Sequence, residues 1–380
     1  MEYYSLIKNN IYSDDKEHKV KTKIKDIFID HWDIFLDYAK EKSLTIRNVV
    51  LKEVDKIINC GTNELGYSQF DCPTPNCNGW HIVFHTCKSR FCSSCGVRYL
   101  SDRINALKNT ILDVKHRHMV FTIPAELRRY FRADRMLINI LFNAVNLTIS
   151  DVFDYKAITP GFICTLHTYG KDIKWNPHIH VLVTEGGLNK LGKYIDFYYL
   201  SFELLRKKFQ YHLLTLLSKE LASSFDELKD YLFNNYPKGF YVRAKKKKSP
   251  NNIKEAEYIL RYSGKPAIAA SRIINYNDHE VIFKYHTDEH EQIVTLSIFD
   301  FFKKLIVHIH DENFKTIRYY GIYTSQNKQA KTFSECNTYD NIKSEKLSWR
   351  ELIIKSFKKD PLICKDCNRV MELVFSYFPP

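Results

Sequence analysis

The stretch Pro177-His178-Ile179-His180-Val181-Leu182-Val183 leaves a chain few ways to fold. A β-branched apolar run, bounded by Asn176-Pro177 before it and Gly186-Gly187 after it, reads as a short buried strand. Side chains two apart on a strand leave the same face, so His178 and His180 project together from a rigid sheet. Imidazole is the commonest side-chain ligand of divalent ions. Two rings fixed side by side in an apolar strand predict half of a metal site. Just upstream, Gly161–His167 reads as another strand, and Thr168–Pro177, with Gly170 and Asn176, as the turn that reverses the chain. That hairpin would set His167 beside His178. Three convergent imidazoles with open positions is a catalytic layout, not a closed structural one.

His308-Ile309-His310 repeats the pattern in a different context. Ile298, Phe301, Phe302, Leu305, Ile306 and Ile309 recur at helical steps. Residues two apart on a helix do not face each other. This pair is expected at the polar end of an amphipathic helix, where the dipole favours histidine, and not at a metal.

Six of the ten cysteines fall in one short segment: Cys60, Cys72, Cys77, Cys87, Cys92 and Cys95, with His81 and His85 between them. Clustered cysteines in a reducing compartment indicate metal rather than disulfides. Tetrahedral zinc takes four Cys or His ligands. The spacing predicts at least one structural Zn²⁺, with Cys72, Cys77, Cys92 and Cys95 as the first set and Cys60, Cys87 and a histidine as a second. Lys88, Arg90 and Arg98 would make this knuckle a phosphate-contacting loop. Cys364-Lys365-Asp366-Cys367 stands apart, and two thiolates cannot close a tetrahedron, so Cys336 or a histidine would have to join them.

Net charge is +13 over 380 residues, which suits a polyanionic partner, nucleic acid before an acidic membrane. No apolar run reaches the roughly eighteen residues of a membrane span. The N-terminus lacks the apolar core of a signal peptide. The expectation is a soluble, cytoplasmic protein, associated with the nucleoid when bound to DNA. Lys254–Tyr262 is a good helix former, ended by Ser263-Gly264. Tyr258 and Tyr262, four apart, share a helix face, with Arg261, Lys265 and Arg272 nearby. A phenol of pKa about 10 becomes a nucleophile only where positive charge stabilises the phenolate.

In this order the motifs resemble a known family. The His-hydrophobic-His strand followed by a Tyr-x-x-x-Tyr helix is similar to the two-tyrosine HUH endonucleases. The closer resemblance is to rolling-circle transposases of the insertion sequence 91 family, which carry an N-terminal zinc domain. The residues that carry it are Cys60-Gly61-Thr62, Leu65-Gly66-Tyr67, Ser89–Gly96, His118–Pro124, Leu166–Gly170, Asn176–Leu188, Tyr258–Ile273 and Arg318–Gly321. The resemblance implies nicking and joining of single-stranded DNA through a 5′-phosphotyrosine intermediate, assisted by Mg²⁺ or Mn²⁺. His178 and His180 would be metal ligands, His167 a third as in relaxases, and Tyr258 and Tyr262 the nucleophiles. Cys72-x4-Cys77 is wider than the pair usual in the family. The alternatives are a plasmid or phage replication initiator or relaxase of the same superfamily, or a zinc-dependent DNA-binding protein without catalysis.

The expected fold class is α+β. A helical and zinc-binding module occupies residues 1–110. An antiparallel-sheet endonuclease core occupies 111–275, with a helical insertion over about 190–235. An accessory α+β region with the lone CxxC occupies 276–380.

Overall fold

The computed structural model describes residues 24–93, 110–244, 267–287, 290–324, 348–358 and 360–379, with Cys95, Gly96, Arg98, Tyr99 and Asp102. Tyr258 and Tyr262, the basic loop Lys245–Pro250 and Cys336 lie outside the described residues. In chain order the elements are α1 (Ile24–Glu41), α2 (Asn48–Ile58), β1 (Tyr67–Asp71), β2 (Trp80–Phe84), β3 (His116–Thr122), α3 (Arg128–Ala133), α4 (Leu137–Asp154), β4 (Thr159–Tyr169), β5 (Trp175–Leu188) and β6 (Tyr194–Asp196). There follow α5 (Phe202–Leu221), α6 (Asp226–Asn235), β7 (Val242–Ala244), β8 (Ile273–Tyr276), β9 (Glu280–His286), β10 (Glu291–Ser297), α7 (Ile298–Ile306), β11 (Ile317–Gly321), α8 (Trp349–Phe357) and β12 (Glu372–Tyr377). The class is α+β, and every strand pairing among the described residues is antiparallel.

The central sheet runs β11-β4-β5-β3-β7, with β6 on the far end of β5. Alternation divides its residues between two faces. Met119 and Phe121, Phe162, Cys164 and Leu166, and Ile179, Val181 and Val183 face one side, where α4 and α5 pack. α4 buries Leu137, Ile138, Leu141, Phe142, Val145, Ile149 and Val152 at three- and four-residue steps. It is apolar and long enough to cross a membrane by composition, yet 56% of it is buried inside the fold. Arg318 on β11 also points to this side, with its guanidinium 4.0 Å from the centre of the Phe142 ring and hydrogen-bonded to Asn139. The opposite face collects the histidines of β3, β4 and β5.

A second core joins parts of the chain far apart in sequence. Phe28, Trp32 and Phe35 of α1 and Val50 and Val54 of α2 pack with Phe301 and Phe302 of α7 and Val281 and Phe283 of β9. Phe28 stacks on Phe302 at 5.0 Å. Arg47 pairs with Asp311 and donates to the Ile309 carbonyl, and Lys52 pairs with Glu312. The C-terminal strand β12 pairs with β1, register Tyr67↔Tyr377 to Asp71↔Glu372, in a separate sheet of order β12-β1-β2. The sheets therefore cross the linear division expected from sequence. β11 belongs to the core sheet, and the C-terminal end belongs with the N-terminal cysteine hairpin. Apolar faces seek partners regardless of chain distance, because closing a longer loop costs little extra entropy.

Candidate functional site

His167, His178 and His180 offer nitrogens that all lie within 4.8 Å of one another. The β4–β5 ladder places them. His167 sits opposite His178, and Thr165 opposite His180, on the face away from the helices. The reversal between the strands is held by Gly170, whose N–H donates to Lys174 O. His178 donates from Nδ1 to the carbonyl of Asn176 at 2.7 Å. A carbonyl accepts only from an N–H, so the neutral ring keeps a bare Nε2. That Nε2 lies 3.1 Å from His180 Nε2. Two imidazole nitrogens about 3 Å apart subtend roughly a right angle at a cation about 2.1 Å from each.

Burial lowers the pKa of both His178 and His180, and for His180 the neighbouring His167 and His178 push the same way. Both rings are neutral near pH 7, the state in which imidazole ligates metal. No carboxylate joins this group among the described residues. A dication seated there would keep its full charge toward an anionic substrate.

One residue here entered the sequence analysis only as part of a family motif, with no role at the metal. His118 on β3 lies 2.9 Å by Nε2 from His180 Nδ1, with the rings stacked at 5.1 Å. If His180 presents a bare Nε2 inward, its Nδ1–H donates to His118, which then sets the tautomer. Ligating imidazoles are commonly oriented by such a partner. The signal was present: His116-Arg117-His118 is another His-x-His on a strand, and β3 pairs with β5. His116 is tied elsewhere, to the Tyr323 hydroxyl at 2.5 Å.

His308 and His310 depart from expectation. α7 ends at Ile306, so neither lies on the helix, and His308 is fully buried. Its Nε2 donates to the Ile173 carbonyl at 3.0 Å, and its bare Nδ1 accepts from the Thr168 hydroxyl at 3.1 Å. It stacks on Trp175 at 5.9 Å. His308 thereby pins the turn that carries His167 to His178.

Eight of the ten cysteines sort into two groups of four that differ from those expected. Cys60, Cys87, Cys92 and Cys95 form one, and Cys72, Cys77, Cys364 and Cys367 the other. In the first, Cys60 and Cys87 each lie 3.6 Å from Cys95, and Cys60 lies 3.7 Å from Cys92. A tetrahedral zinc with bonds of about 2.3 Å spaces its sulfurs roughly 3.8 Å apart, whereas a disulfide holds them near 2.05 Å. Hydrogen bonds from Cys87 and Cys92 lower the Cys60 thiol to about 7, toward the thiolate that zinc takes. His81 and His85 do not join either group. His81 lies 3.0 Å from the Met371 sulfur, and His85 contacts Ser68 and the Leu65 carbonyl. The expected pairing failed because β1 and β2 separate Cys72 and Cys77 from Cys92 and Cys95, at opposite ends of the hairpin. Arg90 reaches Thr316 at 2.9 Å, and Ser89 donates to Glu53 at 2.6 Å, so this knuckle is docked on α2 and on the segment before β11.

Known proteins bear on this arrangement. A family model described as "Putative transposase" matches residues 161–331, which takes in the β4–β5 hairpin and β11. A model described as "Transposase zinc-binding domain" matches residues 27–123, which takes in the first cysteine group. The chain is 29% identical over 297 residues to the transposase for insertion sequence element IS801 of Pseudomonas savastanoi pv. phaseolicola, covering 74% of this chain and 72% of that one. It is 24% identical over 302 residues to the putative transposase y4qJ of Sinorhizobium fredii (strain NBRC 101917 / NGR234), covering 72% and 74%. No solved structure matches. The zinc-binding match precedes the transposase match in the chain, and over both segments the chain is similar to transposases of the insertion sequence 91 family.

Proposed function

We propose that this transposase cuts and rejoins single-stranded DNA by tyrosine transesterification, and that it moves its element by a rolling-circle route. The observation that carries the reading is the convergence of His167, His178 and His180 on one sheet face, within the matched transposase segment that also contains Tyr258 and Tyr262. The three rings would hold a divalent cation beside the scissile phosphate. When bound, such an ion supplies Lewis-acid stabilisation of the charge that builds on the phosphate oxygens. Imidazole donors without a carboxylate favour Mn²⁺ over Mg²⁺, which prefers oxygen ligands.

The chain's own groups do the rest. Asn176 and His118 hold the ligand tautomers. A tyrosine oxygen attacks phosphorus, the bond to the 3′ oxygen breaks, and the 3′ hydroxyl leaves. The 5′ end stays on the tyrosine, so bond energy is kept for rejoining. Two tyrosines, Tyr258 and Tyr262, allow successive transfers. The module at residues 1–110 would grip DNA, the core at 111–275 would cut, and basic residues would neutralise phosphates.

The test is a labelled single-stranded oligonucleotide from the element's ends, incubated with protein and Mn²⁺ and run under denaturing conditions. Wild type should leave a protein–DNA band. Tyr258→Phe with Tyr262→Phe should abolish it while DNA binding persists. An undiminished adduct in the double variant would refute the assignment.

A further inference from the structure

The fold brings the two ends of the chain to one four-sulfur site. Cys72 lies 3.3 Å from Cys367, across a separation of 295 residues, and Cys77 lies 3.7 Å from Cys364. All four sulfurs fall within 4.8 Å of one another. Each pair sits on a tight turn of similar build. Asn76 beside Cys77 and Asn368 beside Cys367 both have left-handed backbones, at φ 65° and 56°. The N–H of Gly79 donates to the Cys77 sulfur, and that of Arg369 to the Cys367 sulfur. Gly79 is required by close approach: a Cβ there would come within 2.5 Å of the Cys364 sulfur and 2.9 Å of an Asp366 carboxylate oxygen.

Packing alone does not account for this assembly. Among the described residues, the core beneath the β12-β1-β2 sheet fully buries just Phe70, Cys364 and Met371. β12 is exposed along its length, with Leu373 at 58% and Phe375 at 43%. A three-stranded sheet with so little buried surface needs another source of stability. Structural zinc provides it in small modules, because the metal binds the folded form alone.

We infer that Cys72, Cys77, Cys364 and Cys367 bind a second structural Zn²⁺, which fastens the C-terminal segment to the N-terminal cysteine hairpin and completes the β12-β1-β2 sheet. Four thiolates suit zinc and exclude hard cations such as Mg²⁺. The zinc-binding family model stops at residue 123, so it does not contain the ligands Cys364 and Cys367. The inference is independent of the transesterification chemistry proposed above.

The test uses the full chain, purified without chelator. Native protein is alkylated with iodoacetamide, and each cysteine is followed by mass spectrometry. Cys364 and Cys367 should be protected, and should become reactive together with Cys72 and Cys77 when a zinc chelator is added. In parallel, Cys364→Ser with Cys367→Ser should lose one bound zinc per chain and should free the segment after residue 347 for limited proteolysis. Two results would each overturn the inference. One is rapid alkylation of Cys364 and Cys367 in the zinc-loaded native protein. The other is protection that survives chelator and disappears with reductant, the mark of a disulfide. The alkylation arm reads the wild-type chain, so it decides the matter even where the serine variant folds poorly.

Discussion

At the scale of single residues, the site is a problem of tautomers. His178 has its Nδ1 proton committed to Asn176 O, and this leaves Nε2 bare whatever the solvent does. His180 turns its Nδ1 to His118, 2.9 Å from that ring's Nε2. In the proposed metal site His118 would act as a positioning residue, through His180. His118→Ala should weaken Mn²⁺ binding by about 10- to 100-fold, the usual cost of losing an orienting partner. His118→Gln, whose amide oxygen can accept the same proton, should recover part of it. Titration calorimetry with Mn²⁺ checks this, and equal affinity in the alanine variant would remove His118 from the site. His178→Ala, by contrast, would remove one of the proposed ligands, and cleavage should be lost even at high Mn²⁺; unaffected cleavage would sink the metal reading. His178 and His180 were legible in the sequence because a strand's period of two is a local property. His118 was not singled out, because its importance depends on which strand pairs with β5.

At the scale of elements, the β4–β5 hairpin is the part that must not move, and His308 is what braces its turn. Burial lowers His308 to about 4, and the positive charges of Arg135 and Arg132 act in the same direction. Thr168, the Ile173 carbonyl, Tyr169 and Trp175 enclose the ring. The folded form thus keeps His308 neutral well below pH 6.5, while the unfolded chain protonates there. Between about pH 6.5 and 4 the unfolded state binds more protons, so stability falls as the pH falls through that window. From pH 7 to pH 5 the loss due to His308 should be about 2 kcal/mol. Urea unfolding of wild type and His308→Gln at both pH values isolates this share. Wild type should lose about 2 kcal/mol more than the variant; parallel losses would show that His308 is not the group responsible. The sequence placed this residue on the polar end of α7. It lies two residues beyond the helix, in a pocket built by β4 and β5, and periodicity within α7 carries no information about that pocket.

At the scale of the whole molecule, charge and connectivity matter most. With a net charge of +13, DNA binding should weaken steeply with salt, since each neutralised phosphate releases counterions. Affinity for a single-stranded oligonucleotide measured between about 50 and 200 mM salt should fall by at least tenfold. A flat response would mean that phosphate contacts do not dominate the interface. The chain also folds back on itself. α1 and α2 share a core with α7 and β9, and β12 completes a sheet begun by β1. The amino-acid sequence was sufficient for whatever depends on near neighbours. It specified the two histidines on one strand face, the hairpin that adds His167, the α+β class, and a cysteine-rich metal module ahead of a histidine-bearing core. Tertiary structure alone decided which cysteines meet. Cys72 is closer in sequence to Cys92 than to Cys367, yet the β1–β2 hairpin holds it at the opposite end from Cys92, beside the returning C-terminal segment. Ligand sets and strand partners are chosen by geometry across hundreds of residues, and loop-closure entropy grows too slowly with length for chain distance to forbid such choices.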